Sequence, residues 1–157
     1  MIKVLFVCLG NICRSPMAEY IFKDLVRKKG FSDKFVIASA GTSSEEVGNR
    51  VHPGTMRILK GLGIDASQKR AIQLRKEDYD RYDYIIGMEQ SNIRSMERIF
   101  KGDSQKKIMR LLDFSPRPRD IADPWYTGNF DKTFEDVMEG CQVLLDYICK
   151  REGIVQD

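Results

Sequence analysis

The chemistry of this chain begins with a cysteine and an arginine close together in Cys8-Leu9-Gly10-Asn11-Ile12-Cys13-Arg14-Ser15. Cys8 ends an apolar run, a Gly/Asn turn follows, and Arg14 stands at the start of a helical pattern. The backbone N–H groups of such a turn can converge on an anion, and the helix N-terminus adds its dipole. Gly10 and Asn11 are among the residues best able to take the left-handed backbone angles of a tight nest. The planar fork of Arg14 suits two oxygens of a phosphate. A thiol held in that positive field loses its proton readily and becomes a nucleophile. The segment reads as an oxyanion cradle with a thiolate at its floor. The plainer reading is a buried cysteine beside a surface arginine, and the strand–loop–helix placement argues against it. A second motif, Asp123-Pro124-Trp125-Tyr126, sets a carboxylic acid on a separate loop, from which it can protonate a leaving oxygen. Asp120 is the rival acid.

The elements that must position these residues are legible as alternating short apolar runs and helical stripes. Strands are expected over 3–8, 35–40, 82–88 and 107–112. The first helix starts with Ser15 as cap and Pro16 at its first position. Its stripe is Met17/Ala18, Ile21/Phe22 and Leu25/Val26, and Gly30 stops it. Further helices are expected over 53–62, 90–101 and 130–151. The 115–119 segment, with Pro116-Arg117-Pro118-Arg119, reads as a solvated irregular loop. Strand–helix alternation predicts one α/β domain over residues 1–157. It is a three-layer sandwich with a central four-stranded parallel sheet and helices on both faces. In such sheets ligands bind outside the carboxyl ends of the strands, where Cys8 stands.

Composition excludes several classes. Hydrophobic residues at 42% and charged residues at 31% exclude wholesale disorder. A net charge of +3 suits an anionic ligand and is too weak for nucleic acid. No apolar run approaches the ~20 residues of a membrane span, and the apolar N-terminus reads as a buried strand, not a signal peptide. The four cysteines (Cys8, Cys13, Cys141 and Cys149) form no C-x-x-C, and His52 is the single histidine, so no metal site is expected. The expected setting is the reducing cytoplasm, with free thiols. Cys141 and Cys149 lie on the last helix as structural residues, and His52 precedes Pro53 without a catalytic role.

Cys8–Ser15 followed by Pro16, together with Asp123-Pro124-Trp125-Tyr126, resembles the two signature loops of the low-molecular-weight protein tyrosine phosphatases. Ser39-Ala40-Gly41-Thr42-Ser43 and Asp83–Met88 resemble that family's second- and third-strand segments, so the resemblance spans the chain. It implies a single phosphatase domain that hydrolyses phosphotyrosine on proteins through a phosphocysteine intermediate, with no cofactor and no metal. Cys8 is then the nucleophile, Arg14 the phosphate clamp and Asp123 the general acid and later base. Ser15 supports the thiolate, and Ser39 holds Asn11 in its strained shape. Leu9, Gly10, Asn11, Ile12, Cys13, Ser15, Trp125 and Tyr126 surround phosphate and substrate, and Cys13 can pair with Cys8 on oxidation. Inorganic phosphate and other oxyanions are expected inhibitors, tyrosine-phosphorylated proteins the partners, and a monomer the acting form. The chain departs from the family with Lys69 where a histidine is common, Glu45 where an aromatic wall often stands, and Trp125 where tyrosine is frequent. The rivals are a protein arginine phosphatase, whose members tend to carry threonine where Ile12 stands, an arsenate reductase, and a phosphate-binding module without turnover.

Overall fold

The run Val4–Val7 is apolar on both sides of the pleat, as a strand covered on both faces must be, and it forms the middle of β1 (Ile2–Cys8). A computed structural model, describing residues 1–155, continues with α1 (Arg14–Lys28), β2 (Phe35–Gly41), α2 (Pro53–Gly61) and α3 (Asp78–Arg81). Then come β3 (Tyr84–Gly87), α4 (Gln90–Phe100), β4 (Ile108–Arg110), α5 (Pro124–Thr127) and α6 (Phe130–Glu152). The four strands pair in parallel in the order β2-β1-β3-β4.

Alternation along β1 divides the core in two. Val4, Phe6 and Cys8 face α1, α2 and α6, together with Phe22, Leu59 and Leu144. Leu5 and Val7 face the other side, with Ile85, Leu74 and Met96 of α4. The expected three layers are therefore present, and Cys8 is turned toward the α1/α6 layer at the carboxyl end of β1. Its pairing partner at the end of β2 is Gly41. Among the described residues, no helix is long and apolar enough to cross a membrane.

Several boundaries differ from expectation for local reasons. β4 stops at Arg110 because the Asp113 carboxylate accepts from the Arg110 N–H at 2.8 Å and turns Leu111–Phe114 into a 3-10 helix. β3 ends at Gly87 because the Asn92 side chain captures the Met88 and Glu89 N–H groups, each at 3.0 Å. α1 is not capped by Ser15. It begins at Arg14 behind Cys13, which makes no side-chain cap bond, because the Ser15 hydroxyl is engaged with Cys8 and Asn11 instead. The four-residue helices α3 and α5 were not foreseen, being too short to carry a hydrophobic period.

Candidate active site

The turn after β1 is built from backbone bonds first. Thr42 and Ser43, just past β2, donate their N–H groups to the carbonyls of Cys8 and Leu9, both at 2.9 Å. His52 N–H closes the far side on the Ile12 carbonyl at 2.9 Å. Asn11 alone in the turn takes the left-handed conformation, at φ 60°; Gly10 does not. The loop lies directly on Gly41, where a Cβ would stand 2.8 Å from the Leu9 carbonyl oxygen and 3.1 Å from the Gly10 carbonyl carbon. A side chain at position 41 and this loop cannot share the space.

A buried side-chain network fixes the turn from inside. Asn11 Nδ2 donates to Ser15 Oγ at 2.8 Å and to Ser39 Oγ at 2.9 Å, while Asn11 Oδ1 accepts from the Ile72 N–H at 3.0 Å. The Ser39 hydroxyl in turn donates to the buried Glu19 carboxylate at 2.6 Å. Because Ser15 Oγ already accepts from Asn11, its hydroxyl proton is free to point at Cys8 Sγ, 3.0 Å away. The Asn11 N–H also reaches that sulfur, at 3.3 Å. Both donors favour a negatively charged sulfur. Lys69 closes the network: Nζ donates to the Ser39 carbonyl at 3.0 Å and lies 3.9 Å from Glu19 Oε1. Burial depresses the Lys69 pKa, and Glu19 opposes that shift. The Lys69 substitution thus keeps a donor in the network, supplied as a cation.

Arg14 is a buried charge, 2% exposed, and both terminal nitrogens of its fork are engaged. It pairs with Glu89, donates to the Ile121 carbonyl at 2.9 Å, and meets Asp123 Oδ2 at 3.3 Å. Burial works against the guanidinium charge, but Cys8, Asp123 and Glu89 outweigh it and raise the Arg14 pKa. Cys13 behaves oppositely. Burial first, then the charges of Cys8 and Asp123, push its thiol up to about 12, so it remains protonated beside Cys8.

Asp123 caps α5 with Oδ1, which accepts from the Trp125 N–H at 3.0 Å, leaving Oδ2 turned toward Arg14. Cys8, Leu9, Gly10, Ile12, Cys13, Arg14, Asp123, Trp125 and Tyr126 line one cavity, with Glu45 and Glu46 across its mouth. Asn11, Ser15 and Ser39 stand behind its wall as supports. Trp125 and Tyr126 are exposed at the rim. His52 has a packing task here: its ring stacks on Phe130 at 4.9 Å and meets the Trp125 ring edge-on at 5.7 Å. Asp120 is set aside as an acid by its bonds, since its Oδ1 accepts from Arg110 and from the Gln90 N–H, both at 2.9 Å.

Two site residues were missed in the sequence. Glu89 follows β3 at the carboxyl end of the sheet, and that position was itself a signal. Glu19 sits among the apolar residues of α1, and a carboxylate there needs a polar partner.

Comparison with known proteins agrees with this geometry. A family model described as low molecular weight phosphotyrosine protein phosphatase matches residues 3–153. The chain is 45% identical to the low molecular weight protein-tyrosine-phosphatase YfkJ of Bacillus subtilis, over 98% of this chain and 100% of that one. It is 42% identical to PtpA of Staphylococcus epidermidis, which bears the same description, over 96% of each. The crystal structure of YfkJ superposes with a TM-score of 0.93 over 97% of both chains.

Proposed function

The chain belongs to the low molecular weight phosphotyrosine protein phosphatase family, and from that membership we propose how its residues divide the reaction. It is a cysteine-dependent protein-tyrosine-phosphatase, a hydrolase of phosphoproteins. The arginine-phosphatase and arsenate-reductase readings are not favoured. The observation that carries the assignment is convergence: Cys8 Sγ, the Arg14 fork and the Asp123 carboxyl line one cavity, and Ser15 and Asn11 direct donors at the sulfur.

Phosphate enters with two oxygens on the Arg14 fork, where they displace Asp123 Oδ2. The remaining charge is met by the N–H groups of the 9–14 turn and the N-terminus of α1. The Cys8 thiolate attacks phosphorus in line, forming the S–P bond as the bond to the phenolic oxygen breaks. Asp123, released from Arg14 and protonated, gives its proton to that oxygen. Water then attacks the phosphocysteine, Asp123 takes its proton, and inorganic phosphate leaves with Cys8 restored as thiolate. Product phosphate and similar oxyanions therefore compete with substrate.

The depth of the sulfur selects phosphotyrosine. Its ring spans from the floor to the rim, where it meets Trp125 and Tyr126. Aromatic pairing adds only about 0.5–1.5 kcal/mol beyond area burial, so reach supplies most of the preference over phosphoserine. Cys13 lines the same cavity as Cys8, and in this reading its thiol captures an oxidised Cys8 as a disulfide before further oxidation.

The test is a rapid acid quench during turnover of a phosphotyrosine peptide, with peptide mapping by mass spectrometry. A phosphoryl adduct on Cys8 is expected. Turnover without it, or equal kcat/KM for phosphotyrosine and phosphoserine peptides, overturns the reading.

A further inference from the structure

The segment from Ser115 to Asp123 carries the proposed proton donor without belonging to a strand or helix. Two prolines, Pro116 and Pro118, stiffen it and remove two N–H donors. Among the described residues, the single main-chain bond linking residues 116–122 to another part of the main chain runs from the Ile121 N–H to the Met88 carbonyl, at 2.9 Å. Side chains supply the other tethers. On the sheet side, Asp120 is held by Arg110 and by the start of α4.

On the opposite side, Arg119 reaches α6. Nη2 donates to Asp136 Oδ1 at 2.8 Å and to Glu139 Oε1 at 3.1 Å, and Nη1 donates to Glu139 Oε2 at 3.1 Å. The fork is bidentate on Glu139, a geometry that fixes direction as well as distance. Nη1 also donates back to the Arg117 carbonyl at 2.8 Å, and Ser115 Oγ donates to Glu139. The solvated arginine expected from the sequence is instead the centre of a clamp between loop and helix. Its anchor is α6, and α6 packs along α1, whose first residue is Arg14. The clamp therefore refers the donor loop to the same helical layer that carries the phosphate fork.

We propose that Arg119 is a positioning residue for proton transfer: its clamp on Glu139 and Asp136 sets where the Asp123 carboxyl stands relative to Cys8. The inference rests on the reading of Asp123 as proton donor. A misplacement of the reacting group by about 1 Å costs up to roughly 100-fold in rate. The loss should fall on substrates whose leaving oxygen needs the proton.

The experiment compares wild type, Arg119→Ala, Arg119→Lys and Asp123→Ala on a phosphotyrosine peptide and on 2,4-dinitrophenyl phosphate, whose leaving group departs without a proton. Inhibition by inorganic phosphate and Tm are measured alongside. Arg119→Ala is expected to lose roughly 10–100-fold in kcat/KM on the peptide and little on the activated ester, with phosphate inhibition unchanged. Arg119→Lys keeps the charge without the fork and should fall between. Equal losses on both substrates, or a matching weakening of phosphate inhibition, overturn the inference. If Arg119→Ala does not fold, Arg119→Lys decides by the same leaving-group bias. If Asp123→Ala shows the bias and the Arg119 variants do not, the positioning role fails alone. If Asp123→Ala itself shows no bias, the assignment of the acid fails first.

Discussion

The loop that holds Cys8 and the loop that holds Asp123 face each other across one cavity, yet different forces hold them. The first is locked by main-chain bonds from 42, 43 and 52 and by a buried network through Asn11, Ser15, Ser39 and Glu19. The second hangs between ion pairs, Arg110–Asp120 and Arg119 with Glu139 and the buried Asp136, and the Asp120 and Glu139 carboxylates are partly in water. Buried, fully paired polar groups are rigid, because losing one partner strands the other away from solvent. Ion pairs at the surface give way at little cost. The difference suits the two tasks. A phosphate cradle must keep its shape through both half-reactions, whereas the acid must leave Arg14, give a proton and later take one from water.

The sharpest break in the comparison is Cys8→Ser. The cradle is unchanged in shape, but the hydroxyl is a poor nucleophile, and turnover should fall by more than about 10⁴-fold. Phosphate binding, measured by calorimetry, should persist. Asp123→Ala should cost roughly 10²–10⁴-fold, because the proton donor is lost, and with it the cap on α5. A quench series in this variant should still trap phosphocysteine from an activated ester.

Asn11 separates conformation from network. Asn11→Gly keeps φ 60° without strain but removes the bonds to Ser15, Ser39 and Ile72. Losing such buried partners costs about 1–3 kcal/mol, read as a Tm fall of about 2–4 °C per kcal/mol. Asn11→Ala adds the left-handed penalty of about 1–2 kcal/mol and should melt lower than Asn11→Gly. Equal melting points would mean that the backbone angle carries no cost.

The smallest effect belongs to the outer clamp. Hydrogen bonds from Arg119, then Ser115, pull the Glu139 carboxyl from its ordinary 4.5 to about 2. A carboxyl depressed in the fold contributes stability above its unfolded pKa and loses it as pH falls through the folded one. The melting points of wild type and Glu139→Gln should therefore differ slightly near neutrality and converge between pH 4.5 and about 2. A gap that is constant with pH would show that the carboxylate charge is not what ties the loop down.

The legibility of these regions in the sequence follows the range of their contacts. Cys8 and Arg14 act within one turn, so local spacing reveals them; the thiolate-supporting role of Ser15 rested on the family resemblance, and the choice of Asp123 on that and its Asp-Pro-aromatic context. The four strands and their parallel sense were legible from alternation, though not their order across the sheet, and their ends were misplaced wherever a side chain such as Asp113 or Asn92 captured the next N–H. Arg119 was misread because its partners stand 17 and 20 residues further on, across a helix whose facing side was unknown. Ser15 was misread as a cap because a hydroxyl at a helix start has two uses. Only the fold brings the sulfur close enough to choose between them.

Gly41 extends this argument to how such a protein can change over generations. The cradle's outline is recorded in its own residues and again in the gap left beneath it by a residue of another strand. A drifting lineage can alter the rim, at Glu45 or Trp125, and so explore new substrates. At position 41 any added carbon lifts the loop's carbonyls and spreads the amides that close on phosphate. Selection on catalysis therefore reaches a position that touches no substrate and bears no functional group.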